Sequence, residues 1–168
     1  LRTLKGLSLS IMVGAAASAV SAAIATLLGM LAAMGKRADA VVSWLIDLVM
    51  GIPHLVLLIL ISFALGKGWT GLLVGIAVTH WPSLARLLRA EAIQLRSSQY
   101  IMVSRRLGRN SSWIMRNHIL PHMIPQLLVG MVLLFPHAIL HEAAISFLGY
   151  GLPPEQPAIG IILSESMR

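Results

Sequence analysis

The chain has 168 residues, 57% of them hydrophobic and 11% charged, with a mean hydropathy of +0.84. An ordinary soluble domain carries roughly 25% charged residues, so a soluble enzyme domain is nearly excluded, and so is disorder, which needs the opposite bias. The 13 Lys and Arg against 6 Asp and Glu leave a net charge of +7, and the lack of cysteine removes disulfides, Cys-ligated zinc and thiol catalysis.

The first residue is Leu1 and the last are Ser166-Met167-Arg168, which reads as a fragment of a longer protein. From Gly6 to Gly35 the chain carries no Asp, Glu, Lys or Arg, and the same holds for Leu48–Gly66, Gly68–Ala85 and Ile119–His141. A helix needs about 20 mostly apolar residues to cross a bilayer, so these stretches predict four spans of an all-α polytopic bundle. The last contains Pro121, Pro125 and Pro136, which are expected to interrupt it. Two faces of the first stretch carry small residues at a spacing of four: Ala15, Ala19 and Ala23 on one, Ser18, Ala22 and Thr26 on the other. Gly71 and Gly75 repeat that spacing, which lets helix backbones approach closely in lipid. The joins at Gly35–Asp39 and Gly66–Gly71 are short, so neighbouring spans form antiparallel hairpins within a single domain, 1–168.

Between Arg86 and Arg116 stand seven arginines and one acid, Glu91. Lys- and Arg-rich short loops stay cytoplasmic, which places this segment inside together with Lys36 and Arg37. Arg2, Lys5, Lys67 and Arg168 then fall outside. Within the loop, Ser97 and Ser98 are candidate N-caps of a short helix that Gly108 ends, and Ser111 or Ser112 caps the next. Tyr100, Val103 and Leu107 recur at helical spacing while Arg105, Arg106 and Arg109 face elsewhere. A short helix with one apolar and one basic face is shaped to press into a partner's groove. Contact with anionic lipid is a further use of the same arginines, whereas nucleic acid is not expected without interleaved aromatics.

Tyr100-Ile-Met-Val-Ser-Arg-Arg-Leu-Gly108, followed by Leu120-Pro121, resembles the cytoplasmic "EAA" loop of ATP-binding cassette (ABC) importer permeases. Gly108, Leu120 and Pro121 fit its spacing, but the Glu-Ala-Ala positions hold Met102-Val103-Ser104, so the acid is missing. Glu142-Ala143-Ala144-Ile145-Ser146-Phe147-Leu148-Gly149-Tyr150-Gly151 and His80-Trp81-Pro82-Ser83-Leu84-Ala85-Arg86-Leu87-Leu88-Arg89 are similar to segments of the peptide/nickel permease subfamily. The resemblance covers nearly the whole chain. It implies a type I ABC importer permease in the cytoplasmic membrane, of whose six spans this chain supplies about four. It also implies that a coupling loop at about 96–118 docks on an ATP-binding subunit, with a second permease subunit and an extracytoplasmic solute-binding protein as further partners. No G-x-x-x-x-G-K-[ST] loop is present, so ATP hydrolysis is expected on a separate chain and no cofactor is expected in this one.

His137 and His141 lie four apart, a spacing that can offer two imidazoles to one ligand, and Glu142 follows. An acid at a membrane boundary is a functional candidate by default, so His137, His141 and Glu142 are the candidate substrate or metal residues, the metal being undetermined. The histidine pair and His80 resemble nickel permeases more than dipeptide permeases, which leaves nickel and short peptides both open as cargo. His54, His118 and His122 carry no assignment. Pro153, Pro154 and Pro157 stiffen an external connecting segment. An ATP-independent channel or secondary transporter is the alternative, and it needs acids inside the membrane, where Asp47 alone comes near. An intramembrane enzyme lacks a convergent catalytic set.

Overall fold

The computed structural model describes residues 2–167, and among these it contains helices and no strands. Leu1 and Arg168, the latter among the basic residues assigned to the outer side, lie outside the described residues. In chain order the helices are α1 (Arg2–Ala32), α2 (Lys36–Met50), α3 (His54–Ala64), α4 (Trp69–Arg96), α5 (Gln99–Arg106), α6 (Ser111–Ile114), α7 (Leu120–Phe147) and α8 (Ile159–Ser166). A π-helical turn, Met115–Ile119, joins α6 to α7.

Among the described residues, three helical runs are long and apolar enough to cross a membrane: α1, α4 and the continuous run Ser111–Phe147. The second charge-free stretch behaves differently. Within Leu48–Gly66, α2 ends at Met50 and α3 leaves at 90° to it, so a fourth span exists where this bent pair counts as one. The cause is local: Pro53 adopts φ −54° and ψ 122°, and a proline ring pushes the residue before it out of the helical region. With 11 residues, α3 is about 16 Å long, half of a hydrocarbon core.

The prolines of the last stretch, by contrast, do not interrupt it. Pro121, Pro125 and Pro136 all lie within α7. A proline ring clashes with the carbonyl four residues back, which for Pro121 is that of Asn117, inside the π-turn. The wider π-turn gives that ring room, and so the helix passes the proline.

Two compact units divide the chain. The first comprises residues 2–21, 52–80 and 131–167, and its core packs Val13 and Ala17 of α1, Leu58 of α3, Leu72 and Ile76 of α4 and Ile145 of α7. Gly71 is the tightest join between α3 and α4: a Cβ there would lie 2.5 Å from the Gly66 carbonyl oxygen and 2.8 Å from that of Ser62. The Ser62 hydroxyl donates across the same join to the Gly71 carbonyl, at 3.3 Å.

The second unit comprises residues 22–51 and 81–130. Here the arginines of α4 turn inward to α2. Arg89 forms a two-pronged ion pair with Asp39, with Nη2 to Oδ2 at 2.9 Å, and Arg86 pairs with Asp47 at 2.8 Å. Arg96 donates to the carbonyl of Ala33 at 3.1 Å, closing the end of α1. Of the two small-residue faces of α1, Ser18 and Ala22 are buried and Thr26 half-buried, while Ala15, Ala19 and Ala23 are exposed. Sequence spacing marks both faces equally, and helix neighbours choose between them.

Gly71→Ala is expected to destabilise the protein by about 1–3 kcal/mol, because backbone rather than a flexible side chain must yield. Thermal unfolding of the detergent-purified protein measures this, and an unchanged midpoint rules out the close contact.

Candidate functional site

The basic loop folds into a defined shape. α5 ends in a Schellman motif: the Gly108 N–H donates to the Arg105 carbonyl at 3.0 Å and the Arg109 N–H to that of Ser104 at 3.1 Å. Gly108 has φ +81°, the left-handed conformation that the motif requires and that side chains resist. Ser98 occupies the N-cap of α5 as expected, but its hydroxyl donates backward to the Leu95 carbonyl at 2.6 Å and closes α4 instead. α6 is capped by Asn110, not by Ser111 or Ser112; its Oδ1 accepts from the Trp113 N–H at 2.8 Å.

Ile101 anchors α5 and is fully buried, whereas Tyr100, Val103 and Leu107 are exposed. His118 holds the loop together. Its ring packs edge-on to Tyr100 and Trp113, and its Nε2 lies 3.2 Å from the Ser104 hydroxyl. Arg109 lies over the Trp113 ring, 4.4 Å from its centroid, and Arg105, Arg106 and Arg116 are exposed. With Arg86, Arg89 and Arg96 engaged by α1 and α2, these four arginines carry the outward positive charge of the segment. Leu120 and Pro121 open α7 directly after the π-turn.

The histidines gather in the first unit in an arrangement that spacing along the chain does not disclose. His54 opens α3, His80 lies within α4 and His141 within α7, and the three rings meet with centroids 4.5, 4.5 and 4.9 Å apart. One ligand-capable atom from each lies within 4.8 Å of the others. His80 Nδ1 is 2.9 Å from the Ile76 carbonyl oxygen, and His141 Nδ1 is 2.7 Å from that of His137. His137 therefore meets His141 through its backbone; His54 and His80 supply the imidazole partners of His141.

Glu142 is fully buried on the adjacent face of α7. Its Oε1 accepts from the Ser146 hydroxyl at 2.8 Å, while its Oε2 is buried without a hydrogen-bond partner among the described residues. The same serine oxygen accepts from the Leu152 N–H at 3.3 Å, tying the segment after α7 back to the helix. α7 ends as α5 does, with Gly149 at φ +80° donating to the Ser146 carbonyl and Tyr150 to that of Ile145. Asp47, the acid that a secondary transporter would have to use, is ion-paired with Arg86.

A family described as "Binding-protein-dependent transport system inner membrane component" matches residues 25–167. The chain belongs to this family. It is 36% identical over 166 residues to the "Putative peptide permease protein" of Brucella ovis, covering 98% of this chain and 55% of that one. It is 31% identical over 167 residues to the oligopeptide transport system permease protein OppC of Bacillus subtilis, covering 99% of this chain and 55% of that one. The chain spans about half the length of the curated relatives it matches.

Tyr100–Gly108, His80–Arg89 and Glu142–Gly151, the segments that carry the resemblance, all fall inside the matched range of this permease family. Together with its apolar helical runs, membership makes the chain a multi-pass membrane protein. Sequence reasoning missed the Asn110 cap, the role of His118 and the partnership of His54 with His80 and His141. A signal was present for the last: His80 is an ionisable residue within a charge-free stretch long enough to span, which by default marks function.

Ser146→Ala removes the Ser146 donor to Glu142 and leaves both carboxylate oxygens without a partner among the described residues. We expect a loss of about 1–3 kcal/mol in unfolding free energy, read from denaturant unfolding in detergent, and a partial return with Ser146→Thr.

Proposed function

We propose that this family member is the permease subunit of an ABC importer, forming part of the route by which peptides cross the cytoplasmic membrane. Peptide as cargo is supported by the names of the relatives. The single observation that carries the coupling role is α5: a short helix stopped by a left-handed glycine, anchored by Ile101, and presenting exposed Tyr100, Val103 and Leu107 between exposed arginines.

An amphipathic helix that is anchored by one apolar residue and leaves Val103 and Leu107 exposed is suited to the groove of another chain. That partner is an ATP-binding subunit, because a conformational cycle needs an energy source and the sequence holds no phosphate-binding loop of its own. The Schellman stop and the His118 bracket make α5 stiff enough to transmit a push from the ATPase to α4 and α7, which flank it in the chain. A second permease subunit and an extracytoplasmic solute-binding protein complete the assembly. Apolar side chains exposed on α7, such as Leu128, Val132 and Leu133, leave surface for lipid and for the second permease.

Reversing Arg105 and Arg106 to glutamate, or placing aspartate at Gly108, is expected to uncouple transport while membrane insertion persists. Loss of one interface anchor costs on the order of 2 kcal/mol, roughly 30-fold in affinity. Labelled-peptide uptake in cells and co-purification of the ATPase should both fall. Parental uptake by variants present at normal membrane levels would defeat the coupling role of α5.

A further inference from the structure

We propose that His54, His80 and His141 form a binding site for a late first-row divalent transition metal, of the Ni2+, Cu2+ or Zn2+ class. The residues come from three different helices, and each offers one ligand atom within 4.8 Å of the other two. A tetrahedral zinc ion with nitrogen ligands at 2.0–2.1 Å holds those nitrogens about 3.4 Å apart.

Two features beyond proximity point to a metal. First, two of the rings are held by backbone. His80 Nδ1 contacts the Ile76 carbonyl and His141 Nδ1 the His137 carbonyl, each one helical turn back. A carbonyl accepts only, so each contact places the ring proton on Nδ1 and the lone pair on Nε2. A carbonyl that accepts from the other ring nitrogen is what orients metal-bound imidazoles and sets their tautomer.

Second, the rings differ in access. His80 is 6% exposed while His54 and His141 are half-buried, so an ion can enter past the outer two and still meet a ring away from water. Imidazole ligands select nickel, copper and zinc over magnesium and calcium, which take oxygen. Three protein ligands leave a coordination position open for water or for a nitrogen or oxygen donor of a bound molecule.

The proposal stands apart from the docking role of α5 and survives its failure. The test uses the complete transporter, purified in detergent with a tag free of histidine, stripped with chelator and dialysed against Zn2+ or Ni2+. We expect one tightly held ion per copy of this chain by elemental analysis, retained against excess Mg2+ and Ca2+. X-ray absorption on the Ni2+- or Zn2+-loaded parent should report three imidazole nitrogens, a reading that needs no variant to fold. His54→Ala and His141→Ala should each weaken retention by about 100-fold or more, and His122→Ala should leave it unchanged. A parent that holds no more metal than the His54→Ala variant overturns the site and leaves three rings stacked for packing alone. Loss of the ion in His137→Ala but not in His54→Ala assigns it to the pair on α7 and overturns the triad.

Discussion

The last carbonyls of a helix have no partner within that helix, and here the chain itself closes several of these ends. That constraint organises this structure. At the end of α4, Ser97 and Ser98 turn their hydroxyls back onto carbonyls of the last turn. At the end of α1, the Arg96 guanidinium takes the Ala33 carbonyl. After α5 and α7, left-handed glycines fold the chain so that the next two N–H groups satisfy the helix behind them. The side chains that do this closing are largely those that a functional reading first singles out. Gly108 and Gly149 carry the family resemblance because a Cβ at either position would strain the turn on which the closure depends.

The net charge illustrates how such local work changes a functional reading. As a sum, a net +6 between Arg86 and Arg116, out of +7 for the chain, suggests one uniformly basic element. In the fold, the basic residues serve two purposes. Those on α4 pair with Asp39 and Asp47 of α2; Asp39 is partly buried and would be costly without its partner, whereas the Arg86–Asp47 pair is exposed. Those beyond Gln99 point outward around the exposed apolar residues of α5. Only the second group is available to a partner or to anionic lipid.

What could be read from the sequence follows the range of the interactions involved. The charge-free stretches, the helix stop at Gly108 and the shape of the basic loop are local, set by composition and by a few neighbouring residues, and they appear where the sequence places them. Local chemistry also explains the bend at Gly51-Ile52-Pro53, yet an apolar stretch of spanning length hides a single proline. Pro121 shows the converse, since its conflict with the helix is resolved by a π-turn that no composition rule announces. Ala15, Ala19 and Ala23 satisfy the packing pattern as well as Ser18, Ala22 and Thr26 do, and only the neighbours of α1 separate them. The histidine cluster lies beyond any local rule. His54, His80 and His141 meet because the bend at Pro53, the course of α4 and the last turns of α7 converge within one unit.

The polar interior of that unit sharpens the point. Its small polar groups behave as membrane helices usually require: Thr79 donates to the Gly75 carbonyl, Ser18 to that of Gly14, and Ser21 across to Ala77 on α4. Each lowers the cost of burying a hydroxyl, and none asks for a ligand. The histidine rings and Glu142 exceed that need. Three imidazoles fill a volume that leucine or phenylalanine would fill at lower desolvation cost, and Glu142 keeps one oxygen buried with no donor among the described residues although Ser146 serves the other. A chain selected for packing alone has no reason to keep four ionisable side chains on α3, α4 and α7 of one unit.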